Sequence, residues 1–311
     1  MSLAFLYAGQ GSQKVGMGRE MYERYPAFRA VWDAAPVDFD LKQLCWEGPE
    51  EQLSQTRYTQ PCLLAFAAGV TAVLREQGVT PDCAAGLSLG EYSALQAAGV
   101  WSAADAISLV AFRGQAMEQA VTGRPCGMYA VLQLDRDKLE QVCQECAGEG
   151  VCTISNYNCP GQLVIAGDKA AVDAACTLAK ERGARRCLPL KVSGPFHTAL
   201  MEPAAQQLEE KFKSVSFGQP AFPVYFNCIA APAPAGESIP ALLVRQVKSP
   251  VYWEDTLRAM VADGVTAAIE IGPGRTLSGF ARKTVPQLPV FSIETPEELE
   301  EAVKRVKEVQ A

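Results

Sequence analysis

A serine between two glycines is the strongest chemical signal in this sequence, in the run from Gly86 to Gly90 (GLSLG). The small residues from Cys83 to Gly86 predict a buried strand, and those from Gly90 to about Ala98 predict a helix. A sharp strand-to-helix turn lifts the serine hydroxyl off the sheet and gathers backbone N–H groups beside it. We therefore predict that Ser88 is a nucleophile. The alternative is a Gly-Ser turn that only caps a helix.

A serine hydroxyl needs a base, and the chain contains a single histidine, His197. Pro195 stiffens the preceding loop and delays the next helix, so His197 is expected near a helix start. We predict that His197 is the base; a surface or satisfied core histidine is the alternative. No Asp or Glu is marked by its context as the group that orients the imidazole. A backbone carbonyl and an amide side chain both remain open for that role.

A glycine-rich loop, Gly9 to Gln13 (GQGSQ), follows the first predicted strand, Leu3 to Ala8. It does not fit a dinucleotide-binding fingerprint, because Lys14 stands where the third glycine belongs. Its backbone can instead donate an N–H group to a reacting carbonyl. We predict that the amides of Gln10 and Leu89 form an oxyanion hole. A purely structural turn is the alternative.

Arg113 interrupts an otherwise apolar helix predicted from about Ala103 to Ala120. A guanidinium on a buried face needs an anionic partner. The hypothesis is that Arg113 binds a substrate carboxylate through two parallel hydrogen bonds. An internal salt bridge or a solvated helix edge is the alternative.

These residues require a scaffold, and the order of predicted elements supplies one. Helices are expected from just after the Gly9 loop to about Tyr25 and over residues 59–77, with Pro61 in the first turn. Residues 127–192 follow the order β-α-β-β-α-β, which is typical of a ferredoxin-like unit. Elsewhere strands alternate with helices, which predicts a mostly parallel sheet covered on both faces. The small unit is therefore expected as an insertion in an α/β core.

Composition limits the possible partners. The 311 residues carry 28 Lys+Arg and 35 Asp+Glu, a net charge of −7, and no run of basic residues is longer than two, as in Arg185-Arg186. We therefore expect no nucleic-acid partner, since tracking phosphates requires a larger basic surface. The sequence contains no heptad repeat and no large apolar stripe that would require a partner, so we expect a monomer.

Targeting and metal signals are weak. The N-terminal residues include no basic segment before an apolar run, and the uncharged stretch 214–236 carries four prolines, so we expect a cytoplasmic protein with no membrane insertion. The 11 cysteines form an odd count and are expected to be reduced. One C-x-x-C pair, Cys143 and Cys146, with a single histidine in the chain predicts no metal site.

Taken together, the motifs resemble the malonyl-CoA:acyl carrier protein transacylases and the acyltransferase domains of polyketide synthases. The resemblance covers nearly the whole chain. The segments that carry it are Gly9 to Gln13, Gly86 to Leu95 (GLSLGEYSAL), Phe112 to Gly114, Asn156 to Gly167 (NYNCPGQLVIAG), Gly194 to His197 (GPFH), Gln246 to Trp253 and Glu270 to Gly274.

The resemblance implies a fold and a reaction. The fold is an α/β-hydrolase-like core, residues 1–122 and 193–311, with an inserted ferredoxin-like subdomain, residues 123–192. The reaction is transfer of a malonyl group from coenzyme A to the phosphopantetheine thiol of an acyl carrier protein, through a malonyl-serine intermediate. Malonyl-CoA and the carrier protein are then the partners. Coenzyme A enters as a substrate thioester, and no cofactor stays bound.

The resemblance also implies roles for individual residues. Ser88 and His197 are the nucleophile and base, and Arg113 holds the malonyl carboxylate. Gln246 orients His197 through its backbone carbonyl. Asn156 and Gln162 line the cleft for coenzyme A or the carrier arm. Phe196 excludes a branched acyl group.

Two positions depart from the family pattern: Leu87 replaces a frequent histidine before the nucleophile, and Ala8 replaces a frequent proline before the first glycine. Leu87 is expected to alter the support around the pocket. A serine thioesterase or esterase, a trans-acting polyketide synthase acyltransferase and a non-catalytic carrier-binding scaffold remain as alternatives to a fatty-acid enzyme.

Overall fold

The computed structural model describes residues 2–192 and 194–310. Three ends of the predicted domain segments, Met1, Ser193 and Ala311, lie outside the described residues.

Ten strands are present in this described part of the chain. In chain order they are β1 (Leu3–Tyr7), β2 (Cys83–Gly86), β3 (Cys126–Leu132), β4 (Cys152–Cys159), β5 (Gln162–Asp168), β6 (Arg186–Pro189), β7 (Val224–Phe226), β8 (Ala231–Pro232), β9 (Ala267–Ile271) and β10 (Val290–Ile293).

The α-helices connect these strands. They are α1 (Arg19–Arg24), α2 (Pro26–Asp33), α3 (Leu41–Glu47), α4 (Glu50–Leu53), α5 (Thr56–Glu76), α6 (Leu89–Ala97), α7 (Ala103–Gln119), α8 (Arg136–Glu145), α9 (Lys169–Glu181), α10 (Glu202–Phe212), α11 (Ile239–Val247), α12 (Trp253–Ala262), α13 (Thr276–Thr284) and α14 (Pro296–Gln310). Short 3₁₀ helices span Ala147–Glu149 and Ala199–Met201.

The larger sheet has the strand order β10-β9-β1-β2-β7-β8. Its first five strands pair in parallel, and only the short edge strand β8 is antiparallel within the described sheet. Alternate residues of β1 enter two different hydrophobic clusters, Phe5 and Tyr7 on one face and Ala4 and Leu6 on the other. A parallel strand buried on both faces needs helices on both faces, and the fold is accordingly α/β, as predicted.

Parallel pairing brings the C-terminal ends of β1, β2 and β7 to the same edge of the sheet. The Gly9 loop follows β1, Ser88 follows β2, and Asn227 follows β7. Ligands of open α/β sheets bind at this edge, because the loops there converge. The topology therefore gathers residues that are far apart in the sequence.

The smaller sheet is antiparallel throughout, with the order β4-β5-β3-β6. One face packs against α8 and α9 through residues such as Val131 and Ile165. The other face joins the main core through Met128 and Val164. One end of β4 also bridges to the larger unit, because the Tyr157 amide donates to the Val251 carbonyl at 2.8 Å.

Two predicted helices differ from the observed ones. Helix α5 begins at Thr56, so Pro61 lies inside the helix rather than in its first turn. Packing of its almost entirely buried length outweighs the hydrogen bond that proline cannot donate. The helix expected up to Tyr25 is shortened to α1, because Gly16 and Gly18 adopt positive φ angles of 95° and 79°.

All 11 cysteines are free thiols, and nine of them are buried. Within residues 2–192 and 194–310, no helix combines the length and apolar character that crossing a bilayer requires.

Replacing Gly90 by alanine tests the contact between β1 and the start of α6. A Cβ atom there would lie 2.2 Å from the Tyr7 carbonyl oxygen, so backbone must move. We expect Gly90→Ala to lower the free energy of unfolding by about 2 kcal/mol or more. The matched control is Gly279→Ala in α13, where a Cβ meets nothing within 4 Å; it should stabilise by about 0.5–1 kcal/mol. Equal denaturation midpoints for the two variants would contradict the contact.

Candidate active site

The turn from β2 into α6 holds Ser88 in a strained backbone conformation, with φ of 54° and ψ of −100°. A Cβ on Gly86 would lie 1.9 Å from the Gly90 carbonyl carbon, and a Cβ on Gly9 would lie 2.4 Å from the Leu87 carbonyl oxygen. The glycines are therefore required by close backbone contacts. They allow the sharp turn that presents the Ser88 side chain at the sheet edge.

The only histidine of the chain lies beside this serine. Ser88 Oγ is 2.7 Å from His197 Nε2, although the two residues are 109 positions apart. His197 Nδ1 donates to the backbone carbonyl of Gln246 at 2.9 Å, which leaves Nε2 without a proton and able to accept one from Ser88. Of the two orienting groups that the sequence left open, the backbone carbonyl makes this contact. His197 itself has a positive φ of 62°, so both partners are held in strained backbone.

His197 is 3% exposed, and its surroundings favour the neutral imidazole. Burial and, to a smaller extent, the positive charge of Arg113 lower the pKa of His197 to about 4, against the opposing hydrogen bonds to the backbone of Gln246 and Ser249. A buried imidazole disfavours its charged form because that form loses its hydration. The imidazole of His197 is therefore unprotonated at Nε2 at neutral pH and able to act as a base.

Arg113 is completely buried next to the serine. Its Nη1 donates to Gln60 Oε1 at 2.8 Å, and its Nη2 lies 3.0 Å from Gln246 Oε1 and 3.3 Å from Ser88 Oγ. The guanidinium also lies over the Tyr92 ring, 5.1 Å from its centroid. Burial lowers the pKa of Arg113, but a guanidinium stays charged at neutral pH.

No carboxylate in the described residues forms a salt bridge with Arg113; its hydrogen-bond acceptors are neutral. The predicted alternative of an internal salt bridge or a solvated edge therefore does not describe this residue. A buried cation whose charge is not balanced by direct ion pairing is a strong attractor for an anionic group.

Gln246 links the three groups. Its backbone carbonyl accepts from His197, its Oε1 accepts from Arg113, and its Nε2 donates to the Ser88 carbonyl at 2.8 Å. The sequence analysis anticipated only the backbone contact. Because the Gln246 side chain bonds to both Arg113 and the Ser88 backbone, it also holds the guanidinium at a fixed distance from Ser88.

Most amides at the start of α6 already have acceptors. The Ser88 N–H donates to Asn227 Oδ1, the Gly90 N–H to the Leu87 carbonyl and the Glu91 N–H to the Ser88 carbonyl. Among the described residues, the Leu89 N–H has no protein acceptor, and the same holds for the Gln10 N–H. These are the two amides that the sequence analysis assigned to an oxyanion hole.

A cavity of about 230 Å³ opens beside Ser88 and His197. Asn156 and Phe196 line it, whereas Gln162 is not among its lining residues. Leu87, one of the two departures from the family pattern, lines it as well. The apolar part of the wall comes from the smaller sheet, from helices α7 and α13 and from connecting segments, and it includes Leu87, Met117, Met128, Val164, Leu190, Val192, Phe196, Leu277 and Phe280.

One wall of the cavity is the N-terminal part of α13. Buried Glu270 accepts the N–H groups of Leu277 and Ser278 at 2.8 and 2.9 Å. A carboxylate at a helix N-terminus satisfies amides that have no helical partner and favours the helix dipole. Glu270 thereby fixes the helix that supplies Leu277 and Phe280.

Four residues of the site were not singled out from the sequence. Gln60 contacts Arg113, Asn227 contacts the Ser88 amide, and Glu91 is fully buried near Arg113. Asn158 lines the cavity, with a buried Oδ1 that has no partner. A charged residue three positions after the serine, on an otherwise uncharged helix, was the available signal for Glu91. The others are polar residues that only the fold brings to the site.

Nowhere in residues 2–192 or 194–310 do three or more His, Cys, Asp or Glu side chains form a group that could hold a metal ion.

Comparison with protein families matches residues 4–307 to a model described as an acyl transferase domain. A malonyl CoA-acyl carrier protein transacylase of Bacillus subtilis strain 168 is 42% identical over 309 residues, covering 98% of each chain. The protein of the same name from Escherichia coli K12 is 40% identical over 304 residues, covering 97% of this chain and 98% of that relative.

Solved structures give the same result. A malonyl-transacylase in complex with its type II PKS acyl carrier protein superposes with a TM-score of 0.95 at 39% identity, covering 98% of this chain and all of that one. The malonyl CoA-acyl carrier protein transacylase from Clostridium perfringens gives a TM-score of 0.95 at 35% identity, covering 100% and 98%.

The lowered pKa of His197 predicts how the reactivity of Ser88 depends on pH. Labelling of Ser88 by an uncharged organophosphonate, followed by intact mass, should stay nearly constant between about pH 7.5 and 5.5, because His197 remains neutral. A histidine with an ordinary pKa near 6.5 would lose about tenfold in rate over that range. Ser88→Ala is the unlabelled control, and a tenfold fall would contradict the neutral, buried base.

Proposed function

The chain belongs to the malonyl CoA-acyl carrier protein transacylases, and we propose that Ser88 and His197 carry out its reaction. That reaction is the transfer of a malonyl group from coenzyme A to an acyl carrier protein, so the protein is an [acyl-carrier-protein] S-malonyltransferase. The single observation that carries the assignment of residues is the 2.7 Å contact between Ser88 Oγ and His197 Nε2 beside the buried Arg113.

The first half-reaction acylates the serine. His197 Nε2 takes the hydroxyl proton while Ser88 Oγ attacks the thioester carbonyl carbon. The C–S bond then breaks, His197 returns the proton to the sulfur, and free coenzyme A leaves malonyl-Ser88. The hydrogen bond from His197 Nδ1 to the Gln246 carbonyl stabilises the imidazolium that forms during the attack, in place of a carboxylate.

Negative charge develops on the thioester oxygen during this attack. The N–H groups of Gln10 and Leu89 are proposed to receive it, because neither has an acceptor among the described residues. Preorganised donors at the site of developing charge lower the barrier by several kcal/mol in typical acyl-transfer enzymes. The N-terminus of α6 adds its dipole in the same direction.

Arg113 is proposed to hold the malonyl carboxylate. Burial raises the pKa of Glu91 to about 8, despite the opposing effects of the Asn227 amide, Arg113 and Gln246. Near neutral pH Glu91 is therefore mostly uncharged and leaves the charge of Arg113 available to a ligand. A site that keeps a buried cation for a carboxylate rejects acetyl groups, which leave that cation unpaired.

The second half-reaction consumes the acyl-enzyme. The phosphopantetheine thiol of the carrier protein gives its proton to His197, and the sulfur attacks the ester carbonyl. Ser88 leaves and regains the proton, so the enzyme returns to its starting state. The apolar cavity wall supports transfer rather than hydrolysis, because it disfavours water beside the ester. The apolar wall therefore favours a transferase over a serine thioesterase.

The cleft residues have proposed roles of the same kind. Asn156 lies on the cavity wall and is proposed to contact the pantetheine arm, together with the unpartnered Oδ1 of Asn158. Phe196 also lies there and is proposed to exclude a branched acyl group. Gln162 begins β5 outside the cavity lining, so a role for it requires the longer coenzyme A or carrier arm.

The domain division is a further part of this proposal. Residues 1–122 and 193–311 form an α/β-hydrolase-like core, and residues 123–192 form a ferredoxin-like subdomain; the strand order β4-β5-β3-β6 supports the latter. Coenzyme A acts as a substrate thioester with no permanently bound cofactor. We further propose a cytoplasmic monomer with no nucleic-acid partner, in a fatty-acid or a polyketide pathway.

Intact-mass measurement tests the covalent intermediate. Incubation with malonyl-CoA should add the mass of one malonyl group per chain, and addition of a carrier protein should remove it. Ser88→Ala should show no adduct, because the attacking oxygen is absent. The matched control is Ser93→Ala, a buried serine on the same helix, which should keep the adduct. An adduct that decays equally fast without the carrier protein would indicate a thioesterase.

Acyl selectivity tests the role of Arg113. We expect Arg113→Ala to slow acylation by malonyl-CoA about 100-fold, because hydrogen bonds to charged groups contribute about 1.5–3 kcal/mol each. Acylation by acetyl-CoA should change far less, since acetyl has no carboxylate to bind. The ratio of the two rates, measured by rapid-quench mass spectrometry, is the readout. An equal fall in both rates would disprove the carboxylate contact.

A further inference from the structure

Asn227 lies immediately after β7 and is 1% exposed. Its side chain contacts both sides of the turn that carries the nucleophile. Oδ1 accepts from the Ser88 N–H at 2.6 Å, and Nδ2 donates to the Gly86 carbonyl at 2.7 Å. The amide orientation is fixed by these partners, since one is a donor and the other an acceptor.

The side chain continues the sheet past the point where the strand ends. β2 pairs with β7 through Ala84–Val224 and Ala85–Tyr225, and β2 ends at Gly86. If the parallel pairing continued, the residue after β7 would donate its backbone N–H to the Gly86 carbonyl. Its own backbone carbonyl would accept the Ser88 N–H. Asn227 uses its side-chain amide for that purpose.

The backbone of Asn227 is committed elsewhere. Its N–H donates to Glu91 Oε2 at 2.6 Å, and its carbonyl accepts from the Tyr252 N–H at 2.9 Å. All four polar groups of the residue are therefore paired. Glu91 lies on α6, the helix that follows Ser88. Asn227 therefore bonds to α6 through its backbone and to the turn before α6 through its side chain.

This arrangement has a chemical consequence. Without Asn227, two buried polar groups at the strained turn would lose their partners, and the φ of 54° at Ser88 would be less constrained. The Ser88 N–H would also become a competing donor beside Leu89 N–H. The position of the hydroxyl relative to His197 Nε2 depends on this backbone.

We propose that Asn227 is a positioning residue for the acyl transfer: its side-chain amide fixes the backbone of the nucleophile turn and reserves the Leu89 N–H as the donor for the oxyanion. The inference rests on the proposed function of Ser88. Asn227 does not line the cavity, so it acts through Ser88 rather than on the substrate.

Two variants separate this role from a general loss of stability. In Asn227→Asp, one oxygen can still accept from Ser88, but the other faces the Gly86 carbonyl and must be protonated to donate to it. Between about pH 7.5 and 5.5 His197 stays neutral, because its pKa is about 4. Glu91, with a pKa of about 8, loses its remaining partial charge over this range in wild type as well, so each variant is compared with wild type at the same pH. In Asn227→Ala, both contacts are lost at every pH.

The measurement is the rate of Ser88 acylation by malonyl-CoA in the full-length protein, by rapid-quench intact mass, from about pH 7.5 to 5.5. The final amount of adduct gives the number of reactive, folded sites. The acylation rate is divided by this number, and the rate per site is compared with that of wild type. We expect Asn227→Asp to be about tenfold or more slower at pH 7.5 and to recover at least about threefold relative to wild type at pH 5.5. Asn227→Ala should be about 10–100-fold slower at each pH, with a nearly unchanged KM for malonyl-CoA.

Each other outcome overturns the inference. An Asn227→Asp profile parallel to that of wild type, or an Asn227→Ala rate per site equal to wild type, would exclude the positioning role. If neither variant shows a cooperative thermal transition, Asn227 is required for folding instead. The same experiment tests the proposed function separately, because a wild-type chain that gains no malonyl adduct would refute that function whatever the variants do.

Discussion

The site depends on one hydrogen bond between two strained residues. Ser88 Oγ and His197 Nε2 lie 2.7 Å apart, and both residues have left-handed φ angles, 54° and 62°. Such conformations persist only where the surrounding structure holds them. Gly86 and Gly90 make the close approach possible on one side, and the carbonyl of Gln246 fixes the imidazole on the other. The parallel sheet supplies the common edge at which the serine turn and its supporting loops meet.

Electrostatics at this edge follow from burial. The site contains a histidine, a glutamate and an arginine, all almost fully removed from water. Burial shifts the pKa values of His197 and Glu91 toward their neutral forms, to about 4 and about 8. Arg113 cannot respond in this way near neutral pH, so it remains the charged member of the three. A neutral base beside a fixed cation suits a reaction that transfers a proton and binds a carboxylate.

The smaller sheet is connected to the proposed catalytic residues through a short segment of the chain. The chain leaves Gln246, whose carbonyl holds His197, and reaches Val251, which bridges to Asn156 on β4. Tyr252 then donates to the Asn227 carbonyl, and its ring stacks on Tyr157 at 5.1 Å between centroids. The segment from Gln246 to Tyr252 thus contacts His197, Asn156 on the cavity wall and Asn227 beside the Ser88 turn.

The sequence by itself determined the local chemistry and the class of fold. A GLSLG turn after a small-residue strand, a single histidine and an arginine in an apolar helix have physical signatures within a few residues, and alternating strands and helices predict an α/β sheet. It did not locate the start of α5, because packing overrode the usual position of Pro61. It also gave no sign of Asn227, Gln60 or the side chain of Gln246. These amides acquire their partners only when strands and helices far apart in the chain meet, and the burial that neutralises Glu91 and His197 exists only in the assembled core. Tertiary structure decided those contacts and charges, because hydrogen-bond geometry and desolvation are properties of the folded surroundings and not of the residue types.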